Sequence, residues 1–418
     1  SAASDVYKRQ AYFDFDGMVD VRVISNKERV NSVRVRPLSY KITPDCVGDT
    51  VTFSLSRPRN LSVEVNGDIF HNLHLFANPI DKFRPSDKEI QRALKKKKGS
   101  NLIYFGPGVH NLPNDTLFVP SGTTVYIDGG ARVYGNIFTE GAHDVNIFGR
   151  GEVHPDGRGA GVWVRRSKNV RIDGIVVSQL PIGQCDSVEL TNVKSISYYG
   201  WGDGMDVFSS SNVILDGVFC RNSDDCAAVY ASTQGFKGGS NNVLVKNATL
   251  WADVAHPINI GGHGDPNGMD TVQNVTFRNI DILDQAEKQI DYQGCLAINP
   301  GDNTLVRNIT FENIRIEDFR NGQLVNFRIS FNPKYCVSTG RGIQNVLVKD
   351  VTYNGSGENL SIIAGYDENH KISGIRFVNL VVNGRKITDD MPGKPKWYKT
   401  GDMAGIFVGE HVENLSFE

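Results

Sequence analysis

The residues best suited to chemistry lie between positions 198 and 230. Tyr198-Tyr199-Gly200-Trp201-Gly202-Asp203-Gly204-Met205-Asp206 is followed by Ser223-Asp224-Asp225-Cys226-Ala227-Ala228-Val229-Tyr230. Asp206 and Asp224 are 18 residues apart, close to one short coil of a stacked chain. Neighbouring strands in such a stack sit about 4.7–4.9 Å apart. Equivalent positions on two coils would therefore gather Asp206, Asp224 and Asp225 into one patch. Carboxylates that close cannot all ionise, so at least one holds a proton near neutrality. A protonated acid beside an ionised base is what cleavage of a glycosidic bond requires. Adjacent residues of a regular strand face opposite ways, so the backbone must break at Asp224-Asp225 for both to act. Asp203, beside Gly204, reads as a turn residue or as part of a substrate rim.

A second signal is Asn259-Ile260-Gly261-Gly262-His263-Gly264-Asp265. A histidine among glycines sits on thinly covered backbone. One coil beyond a carboxylate cluster, His263 is a candidate to support an acid or hold a sugar, and His256 competes with it. Sugar rings present apolar C–H faces that stack on aromatic rings. Tyr199, Trp201, Tyr230 and Trp251 flank the carboxylates and are candidates for substrate binding.

These residues need a scaffold, and a recurring phrase supplies one. It runs Asn169-Val170-Arg171-Ile172, Asn212-Val213-Ile214-Leu215, Asn242-Val243-Leu244-Val245, Asn274-Val275-Thr276-Phe277, Asn308-Ile309-Thr310-Phe311 and Asn345-Val346-Leu347-Val348. A fixed phrase at a loose period of about 20–40 residues means stacked coils sharing one core. With almost no helical periodicity, the pattern predicts an all-β right-handed parallel β-helix over 86–418. Asn247, Asn274 and Asn308 open Asn-X-Thr sequons, which corner asparagines followed by β-branched residues generate by accident. Ahead of the solenoid, Val21-Arg22-Val23-Ile24, Val51-Thr52-Phe53-Ser54-Leu55 and Leu61-Ser62-Val63-Glu64-Val65 alternate apolar and polar residues, and 11–80 reads as a small β-sandwich. Ser86-Asp87-Lys88-Glu89 has the form of a capping box opening a helix that ends in Lys95 to Lys98 and covers the end of the stack. Residues 1–10 carry no apolar core of a secretion signal and read as an artefactual or disordered start.

Composition excludes other classes. The 418 residues carry 45 Lys+Arg against 47 Asp+Glu, a formal charge of −2 that leaves no electrostatic footprint for nucleic acid. No stretch approaches the ~20 apolar residues of a membrane span. Six cysteines in this length do not make a disulfide scaffold.

Gly204-Met205-Asp206, Asp224-Asp225-Cys226 and Gly262-His263-Gly264 resemble, in order, the signature motifs of the polygalacturonase family and of the related dextranase–isopullulanase family. Both families are right-handed β-helix glycoside hydrolases, and the preceding sandwich looks more like the dextranase side. The resemblance implies a secreted or periplasmic enzyme that cleaves an α-linked poly- or oligosaccharide by single-displacement inversion, with no metal or other cofactor. It implies that Asp224 is the general acid, that Asp206 and Asp225 hold and activate water, and that His263 supports the acid and binds substrate. The Arg-x-Lys motif that grips a uronate is missing; Arg328-Ile329-Ser330 offers the Arg alone, which leans toward a neutral glycan. Rival readings are a lyase or epimerase using a cation such as Ca²⁺, or a non-catalytic carbohydrate-binding solenoid.

Overall fold

A computed structural model describes residues 9–26, 29–95, 99–155 and 157–418. Residues 1–8, most of the stretch that the sequence gives as an artefactual or disordered start, lie outside the described residues, as do Lys96–Lys98. The described chain divides into two compact units at Ser86/Asp87.

The first unit is a β-sandwich. One sheet has the order Gln10–Phe15, Leu73–Pro79, Arg59–Val65, Val33–Arg36; the other has Val19–Ile24, Thr50–Leu55, Asp45–Val47. Arg9 and Gln10 belong to it: Gln10 pairs with His74, and Arg9 Nη1 donates to the His71 carbonyl at 2.6 Å. They are therefore ordered parts of the sandwich, unlike the start read from the sequence. The alternating apolar residues turn inward, so Phe15, Val21, Val51, Phe53, Leu61, Val63 and Leu75 form one core. Asn66 and Gly67, both at positive φ (54° and 75°), make the hairpin between Arg59–Val65 and Leu73–Pro79.

The second unit is a right-handed parallel β-helix. Its 29-stranded sheet is almost wholly parallel and winds over three faces. The recurring phrase forms the first face, where Val213, Val243, Val275, Ile309, Val346, Ile375 and Leu415 stand in register. Inward rows of this kind build a continuous core, in which the Phe277 and Phe311 rings stack at 5.8 Å. Each coil is too small to bury its own apolar face, so stacking supplies the stability. The phrase begins on asparagine because that corner is left-handed, with φ of 57° at Asn212, Asn242 and Asn308. The side chains then ladder between coils: Asn242 Nδ2 donates to Asn212 Oδ1 at 2.7 Å, and Asn308 Nδ2 to Asn274 Oδ1 at 3.2 Å. The helix Asp87–Leu94 packs on the first solenoid strand, Leu102–Phe105. All six cysteines are free thiols.

Candidate active site

The site is built on the third face, from Met205–Phe208, Ala227–Tyr230, Ile258–Ile260 and Leu296–Ile298. Their register stacks Met205, Ala227, Ile258 and Leu296 inward, and the next row, Asp206, Ala228, Asn259 and Ala297, outward. Asp224 and Asp225 lie outside regular strands, between Phe219–Asn222 and Ala227–Tyr230. There the backbone escapes strand alternation, and both side chains reach one cavity.

The in-register partner of Asp206 is Ala228 rather than Asp224. Beside the doublet, Gly204 N donates to the Asp225 carbonyl at 2.7 Å and Met205 N to the Cys226 carbonyl at 2.9 Å. This sets Asp203 against the aspartates: oxygens of Asp203, Asp224 and Asp225 lie within 4.8 Å of one another. The tight trio therefore contains Asp203, read from the sequence as a rim residue, in place of Asp206. Asp206 opens into the same cavity from the strand, its Oδ1 buried with no hydrogen-bond partner. Sequence spacing misjudged the pair because coil length is measured between strand positions, and Asp224 is in a turn.

Two neighbours fix this backbone. A Cβ at residue 204 would sit 2.2 Å from the Cys226 carbonyl oxygen and 2.6 Å from Asn222 Oδ1, so only glycine fits. Asn222, fully buried, donates to Ser195 Oγ (3.1 Å), Ser197 Oγ (2.9 Å) and the Asp203 carbonyl (3.1 Å).

The carboxyls differ in environment. Asp225 Oδ1 accepts His256 Nδ1 at 2.7 Å and the His256 amide at 3.1 Å; its Oδ2 accepts Tyr230 OH at 2.5 Å and Asn259 Nδ2 at 2.8 Å. Burial pushes its pKa up, but His256 and these donors outweigh that and hold it below the ordinary value. Asp224 lacks such a set; burial, then the charge of Asp225, push it up to about 7. Burial and the neighbouring carboxylates also raise Asp203 and Asp206. The site thus pairs one firmly ionised carboxylate with carboxyls that retain protons.

The candidate residues disperse. His256 is the histidine bound to the doublet. His263 lines the cavity, meeting Tyr230 (5.0 Å) and Tyr335 (6.2 Å) edge to face, and burial lowers its pKa. Tyr230 is buried and serves Asp225. Trp251 is wholly buried, with the Arg221 guanidinium 4.0 Å over its ring, so it cannot stack on substrate. Tyr199 spends its hydroxyl on the Gly159 carbonyl at 2.5 Å and does not line the cavity. Arg328 is paired with Asp291 at 2.7 Å and is not in the lining either. Trp201 does line it, 71% exposed and in a left-handed conformation (φ 58°).

The cavity holds about 360 Å³. Its far wall carries Tyr292 and Tyr335, ring centroids 5.9 Å apart, which the sequence reading missed. They come from the connections either side of the Leu296–Ile298 and Val325–Arg328 strands. Aromatic residues in connections that flank third-face strands are the signal that finds them.

Among curated proteins, the chain is 26% identical over 295 residues to a polygalacturonase of Juniperus ashei, covering 62% of this chain and 54% of that protein. It is 24% identical over 246 residues to an exopolygalacturonase of Cochliobolus carbonum, covering 50% and 52%. The chain thus spans about half the length of the curated relatives it matches. Among solved structures, Dex49A from Penicillium minioluteum superposes with a TM-score of 0.63 at 15% identity, over 97% of this chain and 83% of that one. The family 28 exopolygalacturonase of Yersinia enterocolitica gives 0.60 at 13% identity, over 87% and 85%. Residues 162–389, which contain the whole carboxylate cluster, match the glycosyl hydrolases family 28, and the chain belongs to that family.

Proposed function

We propose that this protein hydrolyses α-linked glycosidic bonds of a poly- or oligosaccharide with inversion at the anomeric centre. The observation that carries this reading is the split between two adjacent side chains: Asp224, shifted to about 7, and Asp225, depressed below the ordinary range. Asp224 donates its proton to the leaving glycosidic oxygen. The water that attacks the opposite face is held between Asp225 and Asp203, and its proton passes to the ionised Asp225. Asp206 shapes the charge around them. His256 positions Asp225, and His263 forms part of the wall that meets the sugar.

Direct attack by a carboxylate is the competing route. Retaining sites place their carboxyls about 5–5.5 Å apart and inverting ones about 6.5–9.5 Å apart. The 4.8 Å limit on the closest oxygens here is short for inversion. The anomer of the first product decides between the two routes.

The test is kinetic and stereochemical. Asp224→Asn should lower kcat by about 10²–10⁴ with a small change in KM, and activity should survive a chelator. NMR of the first product should show the inverted anomer. A retained anomer, or an Asp224→Asn protein as active as wild type, overturns the proposal; loss of activity with chelator moves it to a cation-dependent lyase or epimerase at the same carboxylates.

A further inference from the structure

The third face continues beyond the carboxylate cavity in both directions, and the two directions differ. Toward the C-terminal coils, the outward row runs from Asn259 through Ala297 to Asn326. Both of these are wholly buried, because the connection around Ile290–Tyr292 lies on them. Asn326 Nδ2 donates to the Ile290 carbonyl at 3.3 Å and to the Gln293 carbonyl at 2.9 Å. A Cβ at residue 294 would sit 2.9 Å from Asn326 Cβ and 3.1 Å from Ala297 Cβ. Arg328, paired with Asp291, and Asn332, whose Nδ2 donates to Tyr292 OH at 2.9 Å, fasten the same connection. The floor is covered on that side.

Toward the N-terminal coils, the row that carries Asp206 runs back through Pro181, Trp163, Phe138 and Phe118, one residue per coil. Four strand spacings of about 4.7–4.9 Å put Phe118 roughly 19 Å from Asp206 along the stack. Pro181 is buried, Trp163 and Phe138 are half-buried, and Phe118 is 64% exposed. The Phe118 and Phe138 rings stack at 5.4 Å. A single exposed apolar residue needs no explanation; three on consecutive coils, leading to a cavity, mark a binding surface. One edge of the strip is cationic. The Arg165 guanidinium lies 5.7 Å from the Phe138 centroid and 5.8 Å from that of Trp163. Arg165 and Arg166 share the one carboxylate of Glu140, at 2.9 and 3.1 Å. Phe236 walls this edge, set so close over Gly183 that a Cβ there would meet its ring at 2.3 Å. An apolar strip for the C–H surfaces of sugar rings, edged by N–H donors for their oxygens, is the chemistry of a glycan site.

We propose that Phe118, Phe138 and Trp163 form a platform for the remote part of a polysaccharide whose cleaved bond lies in the cavity. The occupant is the substrate's own extension, because the strip shares one outward row with Asp206 while the opposite direction is covered. The inference rests on the hydrolase reading for what happens in the cavity, but binding tests it separately. Asp224→Asn protein, which keeps the shape of the protonated acid, is titrated calorimetrically with long size-fractionated chains of polygalacturonate, dextran and pullulan. The same protein is titrated with trigalacturonate, isomaltotriose and maltotriose. At least one long chain should bind about tenfold or more tighter than its trisaccharide. Adding Phe118→Ala, at an exposed position that folding does not need, should weaken that long chain about threefold to tenfold and leave the trisaccharide unchanged. Trp163→Ala, closer to the cavity, should weaken the long chain at least as much. No advantage of the long chain, an equal or absent effect of Phe118→Ala on both lengths, or binding of none of the long chains overturns the proposal. Turnover with Asp224 intact separates the two readings. Cleavage of a long chain with the same kcat/KM with and without Phe118→Ala keeps the hydrolase and removes the platform. A long chain bound through Phe118 with no bond cleaved keeps the platform and removes the hydrolase.

Discussion

At the residue scale, the chemistry depends on how differently two neighbouring aspartates are treated. Asp225 is surrounded by donors from Tyr230, His256 and Asn259, while Asp224 has burial and a charged neighbour. The pH profile follows from these shifts. Asp224 must carry its proton to act, so kcat/KM should fall as pH rises through about 7. Asp225 must be ionised, and its depressed pKa extends activity on the acid side. His256→Ala removes one donor and the imidazole charge, so Asp225 should titrate higher. The acidic limb of kcat/KM should then move to higher pH, while the alkaline limb, set by Asp224, stays near 7. An unchanged acidic limb would mean that His256 only fills space. The histidine that stands in a glycine setting, His263, drew attention in the sequence because of its neighbours; its ring turns out to be a wall against Tyr230 and Tyr335.

At the scale of elements, the aspartates are placed by the ends of strands. Asp203 is held level with Asp225 by the bonds from Gly204 N and Met205 N. That approach depends on residue 204 having no side chain. Gly204→Ala drives a methyl group into the Cys226 carbonyl and should cost about 1–3 kcal/mol of stability, the usual range for overpacking. Thermal unfolding would measure it, and turnover should fall more than the lost folded fraction explains, because Asp203 moves with the backbone. Unchanged melting and turnover would show that the coil yields at no cost. The asparagine corners belong to this scale as well. Their sequence recurrence is legible because one physical need, a left-handed residue with an amide to pass to the next coil, repeats at every turn. Asn274 and Asn308 of the sequons sit in these ladders, and Asn247 donates to Asp216 Oδ1 at 2.7 Å.

For the whole molecule, gathering carboxyls in a buried cavity works against stability. Asp203, Asp206 and Asp224 have folded-state pKa values above the unfolded one. Their contribution is fully present below the unfolded pKa of about 3.9 and is lost as pH rises through the folded values, about 7 for Asp224. Asp206→Asn removes one such group while keeping its shape. Its Tm should exceed that of wild type at pH 8, and the difference should shrink as pH falls and the wild-type carboxyl takes up its proton. The reverse order at pH 8 would show that burial and the neighbouring carboxylates do not disfavour the ionised Asp206. Activity should fall in the same variant, the usual exchange between a site under electrostatic tension and the stability of its scaffold.

The class of fold is legible in the residues alone, because a solenoid is a local rule repeated: inward apolar residues, a polar corner, and a chain that returns over itself. The sequence also marks Asp224-Asp225 as unusual, since two charges before an apolar strand serve no packing purpose. The tertiary structure decided which residues join them. Whether Asp203 or Asp206 stands beside the doublet depends on the register between coils of unequal length, and the spacing of residues along the chain does not record it. Tyr292 and Tyr335 reach the cavity from more than one coil away, and Trp251 disappears into the interior beneath Arg221. Side chains that meet across coils are set by how connections of different length fold back over one face, a long-range matter on which local pattern is silent.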